Sequence, residues 1–565
     1  MTERLTYILK EKPKQLTLYG FFVLLILQLM VLVCFSIDKA DFHIDEYYTY
    51  ILSNSSHSDG LANSADINGQ WVDGREAFGQ FVSVQPGERF AYRQTYLNNT
   101  TDAHPPLHYF LLHTVCSFFP DVFSKWFGLS INILFFILTQ MLLFKLSCEL
   151  FRGVIWKLLP VAIYGFSPVA LDVALFIRMY MMLTFFTVAL YYIHFRMYRG
   201  ELKYPYVWCF LVVFLGVFTQ YFFAIFAFFT AAFYCLYLLR QSRVRDFFLY
   251  SGSMTAGVLL VFTVYPDAYL QITGSKTNNV GNAVASGILD FSLFFRHIYS
   301  YLWQFAFRTV PDLRWRFIYG LLLCAVIGLS YVLRDKENRA SVGTEADASR
   351  RNLLRKMINK TRQSTIAVWF TATFIGLLLT FLVTVQVSVQ FAYLRYIYNI
   401  LPIIFLALCG IIYFLGSECK VNRTVLSVGF MGVVLLLGLH TVVIQNCEYL
   451  FTERTQATGK TVEFVRDKPL IVVNNGTNHC LTANFMLLSH TKLLYISETD
   501  EIDIDALLED REVPEGIACL VLTDQEWSQG YDGDETVSKI ISRSEKFNEY
   551  EEFGEETFSK VYWIT

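Results

Sequence analysis

The chain alternates between long apolar runs and polar connections. A membrane-crossing helix needs about 20 mostly apolar residues, and the first such run extends from Leu16 to Ser36. A polar stretch from Ile37 to Asp102 separates it from ten further runs: Trp126–Leu146, Trp156–Val169, Val173–Phe195, Tyr206–Thr219, Tyr221–Leu239, Phe247–Tyr265, Phe317–Leu333, Ile366–Gln386, Tyr396–Leu415 and Val425–Ile444. The pattern predicts a polytopic α-helical membrane protein with about eleven transmembrane helices in residues 1–445.

A further apolar segment, Ile288–Phe307, contains charged residues and is ambiguous as a span. Basic residues collect in short cytoplasmic loops, and a strongly basic loop covers residues 334–363. This loop would lie outside if Ile288–Phe307 crossed the membrane. We therefore expect an interfacial or re-entrant segment within an outer loop of residues 267–315. Loop 37–102, loop 267–315 and the C-terminal residues then share the outer face.

Residues 446–565 have a different pattern, in which short apolar strands alternate with helical stretches. This alternation indicates a small α/β domain, favours a parallel sheet, and predicts an extracytoplasmic soluble domain. The predicted strands are Pro469–Asn474, Lys492–Ile496 and Gly516–Leu522, and the predicted helices are Ala483–Ser489 and Ile502–Asp510.

Composition supports this division. Hydrophobic residues make up 54% of the chain and charged residues 17%, against about 25% charged residues in soluble domains. A water-soluble globule and a disordered chain are therefore excluded. The net charge of −3 combines an acidic C-terminal part, with 24 acidic and 10 basic residues, and a basic membrane part. The basic residues lie between apolar runs, so we expect no nucleic-acid partner. The spacing of the eleven cysteines predicts neither a disulfide framework nor a metal site.

Acidic residues stand at two places on the predicted outer face. Asp45 and Glu46 follow the first span, and Asp102 and His104 precede a proline pair that starts a helix at the membrane surface. A carboxylate at such a boundary can act as a general base toward a hydroxyl. A solvated loop and a loop-to-helix junction are the alternative interpretations of these two motifs.

Cations stand at three other outer positions, and two of them lie beside aromatic residues. Arg178, followed by Tyr180, is predicted about two turns inside the fourth span, where an arginine costs up to about 2.5–3.5 kcal/mol. Arg395-Tyr396 begins a late span, and Lys276 lies in an outer loop. A guanidinium pairs with a phosphate through two hydrogen bonds, so a lipid phosphate would offset the cost. The alternatives are a snorkelling arginine, an aromatic-belt anchor and an ordinary loop lysine.

Acids suited to activating a hydroxyl thus share one membrane face with cations suited to a phosphate. In these motifs the sequence resembles the GT-C membrane glycosyltransferases, on the branch of the protein O-mannosyltransferases and the lipid A aminoarabinose transferases. A Thr-Gln-Tyr-Phe stretch departs from the family pattern, because Gln220 stands where histidine is usual. The matching residues are Asp45-Glu46, Asp102-Ala103-His104-Pro105-Pro106-Leu107, Arg178-Met179-Tyr180 and Arg395-Tyr396.

The resemblance implies a GT-C fold and an inverting transferase whose donor is a polyprenyl-phosphate-linked sugar. Asp45 would be the catalytic base, and a hydroxyl would attack the anomeric carbon as polyprenyl phosphate leaves. The family implies an enzyme that is metal-independent or only weakly metal-dependent, so a divalent metal ion is not expected to be essential. The implied donor-phosphate residues are Arg178, Tyr180, Arg395, Tyr396 and Lys276, and the residues that would orient the acceptor or Asp45 are Glu46, Asp102 and His104.

Two other classes of function stay open at this point. A transporter or flippase of a lipid-linked glycan would place polar residues along a path through the membrane, whereas the candidate residues here lie at one face. A non-catalytic surface scaffold would use the acidic C-terminal domain for binding. The sequence names neither the sugar nor the acceptor, which could be a glycan, a lipid or a protein hydroxyl, and it predicts a multi-pass protein of the plasma membrane.

Overall fold

The computed structural model describes residues 13–39, 42–56, 67–273, 292, 294–300, 313–333, 349–387, 394–418, 421–440, 452–475, 478–509, 515–525 and 529–565. Lys276 and most of Ile288–Phe307 lie outside these residues. So does the first part of the predicted basic loop, whereas its second part belongs to a helix from Ser349 to Val387 that continues into the next apolar run.

Helices dominate the part of the chain before residue 441. Two 3₁₀ segments, Pro86–Glu88 and Leu394–Ile400, connect some of them. In chain order the helices are α1 (Pro13–Asp38), α2 (Ile44–Asn54), α3 (Gly74–Val82), α4 (Tyr92–Asn99), α5 (Leu107–Ser117), α6 (Lys125–Leu150), α7 (Val154–Gly165), α8 (Pro168–Leu175), α9 (Tyr180–Tyr198), α10 (Pro205–Thr219), α11 (Phe223–Arg240), α12 (Val244–Val264), α13 (Asp267–Thr273), α14 (Leu313–Val332), α15 (Ser349–Val387), α16 (Leu401–Glu418) and α17 (Arg423–Leu439).

Seven helices within the described residues are long and apolar enough to cross a membrane, and the bent pair α7 and α8 makes an eighth if it counts as one span. The seven lie at Lys14–Asp38, Lys125–Leu150, Phe223–Arg240, Val244–Val264, Leu313–Val332, Ala367–Gln386 and Arg395–Gly416. The remaining predicted runs are also helical, as α9, α10 and α17. The polytopic helical architecture is confirmed, and seven or eight of the eleven predicted spans meet the criteria of length and hydropathy.

The chain breaks between α7 and α9, where the sequence predicts continuous spans. Ser167 caps α8 by accepting a hydrogen bond from the backbone N–H of Ala170, and Pro168 occupies the first turn of the helix. As a result α8 is bent by 53° from α7. α8 ends before Arg178 and α9 begins after it. The prediction that places Arg178 two turns inside a span is therefore wrong, because Arg178 lies in the break between two helices.

Side chains from distant helices satisfy the backbone of this break. The Asn132 Nδ2 atom donates to the carbonyl oxygens of Ala174 and Phe176, at 3.1 and 2.7 Å. The backbone N–H of Ile177 donates to Glu46 Oε1 at 2.7 Å. Backbone groups that leave a helix at membrane depth need partners within the protein. The position of Arg178 therefore depends on residues that lie far from it in sequence.

The C-terminal part contributes five strands to a six-stranded sheet, and the sixth strand comes from loop 37–102. The strands are β1 (Trp71–Val72), β2 (Pro469–Val473), β3 (Leu493–Ser497), β4 (Ile517–Leu522), β5 (Tyr550–Glu556) and β6 (Ser559–Ile564), and the helices of the C-terminal part are α18 (Thr452–Val465), α19 (Asn478–Ala483), α20 (Phe485–His490), α21 (Ile504–Leu507) and α22 (Gly533–Ile541). The strand order is β1-β3-β2-β4-β6-β5. The central strands β3, β2 and β4 are parallel, as predicted, whereas β6 and β5 add an antiparallel edge.

Strand β1 comes from loop 37–102 and pairs with β3 of the C-terminal part, with Trp71 opposite Tyr495. The sequence does not predict this strand, because two residues carry no alternation of apolar and polar positions. The inner face of the sheet, including Leu470 and Leu494, belongs to the same core as the membrane helices, and the other face has a separate core. The loop and the C-terminal part are therefore one folded unit on one side of the helices.

Phe485 of α20 lies at the contact between the C-terminal part and loop 37–102. Its ring lies 5.1 Å from that of Tyr47, 5.9 Å from Phe78 and 6.0 Å from Phe123, measured between centroids. Tyr47 belongs to α2, the helix that carries the Asp-Glu pair. The C-terminal part thus supports the helix on which the first candidate motif lies.

Gly74 allows the close approach of α3 to α20, and this contact can be tested. A Cβ atom at Gly74 would lie 2.1 Å from the Leu488 carbonyl oxygen and 2.8 Å from that of Thr491. We expect Gly74→Ala to destabilise the fold by about 1–3 kcal/mol, as overpacking does, and to lower the thermal unfolding midpoint. Gly79→Ala on the same helix is the matched control, since no atom lies within 4 Å of its added Cβ. Equal midpoints for both variants would contradict this packing.

Candidate active site

The Asp-Glu pair lies in the first turn of α2, and His43 caps that helix. The backbone N–H of Asp45 donates to His43 Nδ1 at 3.1 Å, and the backbone N–H of His43 donates to Glu46 Oε2 at 2.7 Å. These reciprocal bonds form a capping box. The cap gives the two neighbouring carboxylates different contacts. The Glu46 carboxylate takes part in the cap, whereas the Asp45 carboxylate contacts residues elsewhere in the chain.

Glu46 joins three segments of the chain. Its carboxylate pairs with Lys39 Nζ at 2.9 Å, caps α2 through His43, and accepts the backbone N–H of Ile177 at 2.7 Å. The side chains of Glu46 and Lys39 are only 1% and 5% exposed. Buried carboxylates need such partners, because desolvation is costly. Glu46 therefore fixes the end of α1, the start of α2 and the α8–α9 break in one arrangement.

Arg178 lies in this break, and its side chain makes hydrogen bonds with residues of α2 and α5. Its Nη1 atom lies 3.2 Å from the backbone oxygen of Asp45, 3.0 Å from Thr49 Oγ1 and 3.1 Å from the Tyr109 hydroxyl oxygen. Its Nη2 atom lies 3.5 Å from His104 Nδ1. The Arg178 side chain is buried, and its Nε atom has no hydrogen-bond partner among the described residues. Arg178 thus supplies a fixed positive charge beside Asp45.

The second acidic motif meets Arg178 from the other side. Asp102 Oδ2 lies 3.1 Å from His104 Nδ1 and accepts the Tyr109 hydroxyl at 2.8 Å. Gln271 Nε2 donates to the Asp102 backbone oxygen at 2.7 Å. A continuous polar chain therefore runs from Asp102 through Tyr109 to Arg178, and the structure brings the two predicted acidic motifs together.

Arg395 approaches Asp45 from the other end of the sequence. Its Nη1 atom lies 2.6 Å from Asp45 Oδ2, and its guanidinium lies over the rings of Phe176 and Tyr396, at 5.7 and 5.6 Å from the centroids. Tyr180 stacks on Phe176 with ring planes 14° apart. Arg395 therefore links the Asp45 carboxylate to an aromatic cluster that contains Phe176, Tyr180 and Tyr396.

Basic side chains lie beside the carboxylates of the site, and their positive charges set the pKa values of the two aspartates. Burial alone would raise the pKa of Asp45, but the guanidinium groups of Arg178 and Arg395 outweigh it and hold that pKa well below its usual range. For Asp102, burial is likewise outweighed by His104 and Arg178, so its pKa is also lowered. Burial lowers the pKa of His43 to about 4. Both aspartates are therefore ionised at neutral pH, and His43 is neutral.

Eight of the nine predicted site residues lie in this cluster: Asp45, Glu46, Asp102, His104, Arg178, Tyr180, Arg395 and Tyr396. The ninth, Lys276, lies outside the described residues. Gln220 accepts a hydrogen bond from the N–H of Tyr221, whose hydroxyl donates to Gln271. Within the part of the chain that the structure describes, no group of three His, Cys, Asp or Glu residues is placed to hold a metal ion.

The contributors to the site that are not predicted from the sequence include Lys39, Thr49, Tyr109 and Phe176. Two of them had a usable signal. Lys39 is a charged residue directly after an apolar span, and Tyr109 follows the His-Pro-Pro-Leu-His stretch at the start of α5. The signal for Thr49 and Phe176 is absent, because their contacts with Arg178 and Arg395 depend on how separate helices pack.

No protein-family model matches the chain, and no curated protein matches it. Among solved structures, the crystal structure of ArnT from Cupriavidus metallidurans bound to undecaprenyl phosphate is similar, with 14% identity, coverage of 96% of this chain and 98% of the ArnT chain, and a TM-score of 0.37. The apo structure of the same protein is 12% identical, covers 97% of this chain and 98% of the ArnT chain, and has a TM-score of 0.35. ArnT is a lipid A aminoarabinose transferase of the GT-C fold, the branch that the sequence motifs resemble. At these identities and TM-scores the overall likeness carries no argument about function.

The role of Glu46 can be tested by removing its charge. Glu46→Gln keeps the shape of the side chain but leaves Lys39 buried without its counter-charge. Breaking a buried pair in this way costs about 3–5 kcal/mol, so we expect a clearly lower thermal unfolding midpoint.

The double variant Lys39→Met/Glu46→Gln is the control, because it removes both charges and should recover much of the lost stability. A Glu46→Gln protein that unfolds at the wild-type temperature would show that Glu46 does not hold these segments together.

Proposed function

We propose that the chain is an inverting glycosyltransferase that moves a sugar from a polyprenyl-phosphate-linked donor to an acceptor hydroxyl at the outer face of the membrane. The observation that carries this proposal is the position of Asp45 beside two guanidinium groups: Arg395 pairs with its carboxylate, and Arg178 donates to its backbone oxygen. A base and two phosphate-binding groups within one site are the parts that transfer from a phospho-sugar requires.

Asp45 is assigned the role of base. Its carboxylate accepts the proton of the acceptor hydroxyl while the hydroxyl oxygen forms a bond to the anomeric carbon. The bond between that carbon and the phosphate oxygen breaks, and its electron pair leaves with polyprenyl phosphate. Attack opposite to the leaving group inverts the anomeric configuration. The low pKa of Asp45 keeps its carboxylate ionised at neutral pH, so its oxygens carry no proton when the acceptor hydroxyl arrives.

Arg178 and Arg395 are assigned to the phosphate, whose negative charge grows as the bond to the sugar breaks. Fixed positive charges in a site shielded from water stabilise such a charge without having to reorganise. Tyr180 and Tyr396 would complete this wall of the site, and Lys276 remains a predicted phosphate ligand. Because phosphate is a good leaving group, the site needs no general acid.

Glu46, Asp102 and His104 are assigned positioning roles. Glu46 is fully engaged with Lys39 and two backbone N–H groups, so its carboxylate acts through the placement of Asp45 and Arg178. Asp102 and His104 are partly exposed and border Arg178, which suits contact with an acceptor hydroxyl. These assignments separate one base from three residues that orient it or the acceptor.

Two features support an assignment of the side of the membrane. The pairing of β1 with β3 joins loop 37–102 to the C-terminal part, and the basic residues of 334–363 favour the cytoplasm for that segment. We therefore propose that residues 446–565 form an extracytoplasmic domain on a plasma-membrane transferase of residues 1–445. A lipid-linked donor would reach the site from within the bilayer, for modification of a cell-envelope glycan, lipid or protein.

The test uses purified protein in liposomes with polyprenyl-phosphate sugars as donors, and measures release of free polyprenyl phosphate in the presence of cell-envelope acceptors. Asp45→Asn keeps the size of the side chain but removes its basicity. We expect the rate to fall by about 10²–10⁴-fold, the usual value of a general base, while the protein still binds the donor.

Asp73→Asn is the control, because Asp73 caps α3 at the surface of the same loop and asparagine caps equally well. Full activity of Asp45→Asn would exclude Asp45 as the base. Movement of intact donor across the membrane without loss of its sugar would identify a flippase instead of a transferase.

A further inference from the structure

The two arginines beside Asp45 are held in different ways. The Arg178 Nη1 atom contacts three oxygens, one of them a backbone carbonyl. Arg395 instead makes an ion pair with the Asp45 side chain and a hydrogen bond with the side chain of the adjacent Tyr396, and its guanidinium lies across two aromatic rings. Turning Arg178 would break several directional contacts. Cation–π contacts with Phe176 and Tyr396 tolerate a change of hydrogen-bond partner, because they depend on the ring faces and not on a single atom.

The Asp45–Arg395 ion pair blocks both groups at once. The Asp45 side chain is 25% exposed and that of Arg395 is 15% exposed, and their nearest atoms are 2.6 Å apart. A carboxylate oxygen in this contact has a weakened ability to take a proton from a hydroxyl. A guanidinium in this contact has one of its donor atoms occupied by the base, and that donor is unavailable to a phosphate.

A phosphate is the natural competitor for this contact. The phosphodiester of a lipid-linked sugar carries a negative charge and oxygen acceptors that fit a guanidinium fork as well as a carboxylate does. Arg178 stays in place through its contacts with a backbone oxygen and two hydroxyl groups, and it adds a second positive charge beside Asp45. A bound donor would therefore compete with Asp45 for Arg395.

We propose that Arg395 is a latch on the catalytic base, which pairs with Asp45 in the empty site and transfers to the donor phosphate when the donor binds. This inference rests on the proposed function. The released Asp45 carboxylate loses one of the charges that depress its pKa, so it becomes a stronger base only when a donor is present. The reaction is then ordered, with donor bound before the acceptor hydroxyl is activated.

The test is a double-mutant cycle on the affinity of the full-length protein, in lipid nanodiscs, for undecaprenyl phosphate. If Asp45 competes for Arg395, Asp45→Asn should tighten this binding by about tenfold, the scale of a close charge-pair coupling. In an Arg395→Ala background the same Asp45→Asn change should have little effect. Asp102→Asn is the matched control, because it removes an equal charge from the same site without a contact to Arg395.

Each outcome has a distinct meaning. Binding that depends on Arg395 but is not tightened by Asp45→Asn would overturn the latch and leave the transferase proposal standing. Equal tightening in the Arg395→Ala background, or with Asp102→Asn, would also overturn the latch, since a general charge effect would explain it. Binding that is unchanged by both Arg178→Ala and Arg395→Ala would overturn the phosphate site itself. Unfolding midpoints confirm that each variant is folded, and Arg395→Gln replaces Arg395→Ala if the latter is not.

Discussion

The geometry of the site depends on the contacts of one carboxylate, that of Glu46. It neutralises Lys39 at the end of α1, caps α2, and accepts a backbone N–H from the α8–α9 break. A chain that leaves helical geometry among membrane helices must find partners for its backbone groups, and Glu46 supplies one of them. The break carries Arg178 and α2 carries Asp45, so the same carboxylate sets the distance between the proposed base and its neighbouring cation.

The close pairing of Asp45 with basic side chains has two opposite consequences for its chemistry. Arg178 and Arg395 keep Asp45 ionised in spite of burial, yet the contact with Arg395 also weakens Asp45 as a base. In the proposed mechanism an incoming phosphate would resolve this conflict, because it would take Arg395 over from Asp45. Three carboxylates and three basic side chains lie close together, and among them Lys39, Glu46 and Arg178 are buried while Asp45, Asp102 and Arg395 keep some exposure.

Much of this organisation follows from sequence, for identifiable reasons. Long apolar runs predict the helices, and the Asp45-Glu46 and Arg178 motifs predict the residues that meet in the site. Other features depend on contacts between distant segments. The break at Arg178 requires Asn132 and Glu46 to satisfy its backbone, and the separate tasks of Asp45 and Glu46 follow from a helix cap. A two-residue strand such as β1 and the antiparallel edge of the sheet carry too little periodicity to be predicted.

The central claim is that the site between Asp45, Arg178 and Arg395 holds a lipid phosphate, and native mass spectrometry tests it most directly. The protein is released from its own membranes and the masses of bound lipids are measured for the wild type and for Arg395→Ala. The proposed function predicts a polyprenyl phosphate or its sugar ester on the wild type, lost or strongly reduced in the variant, with the mass of the ester reporting the sugar. Bound lipids that are only ordinary phospholipids, in equal amounts on both proteins, would contradict it.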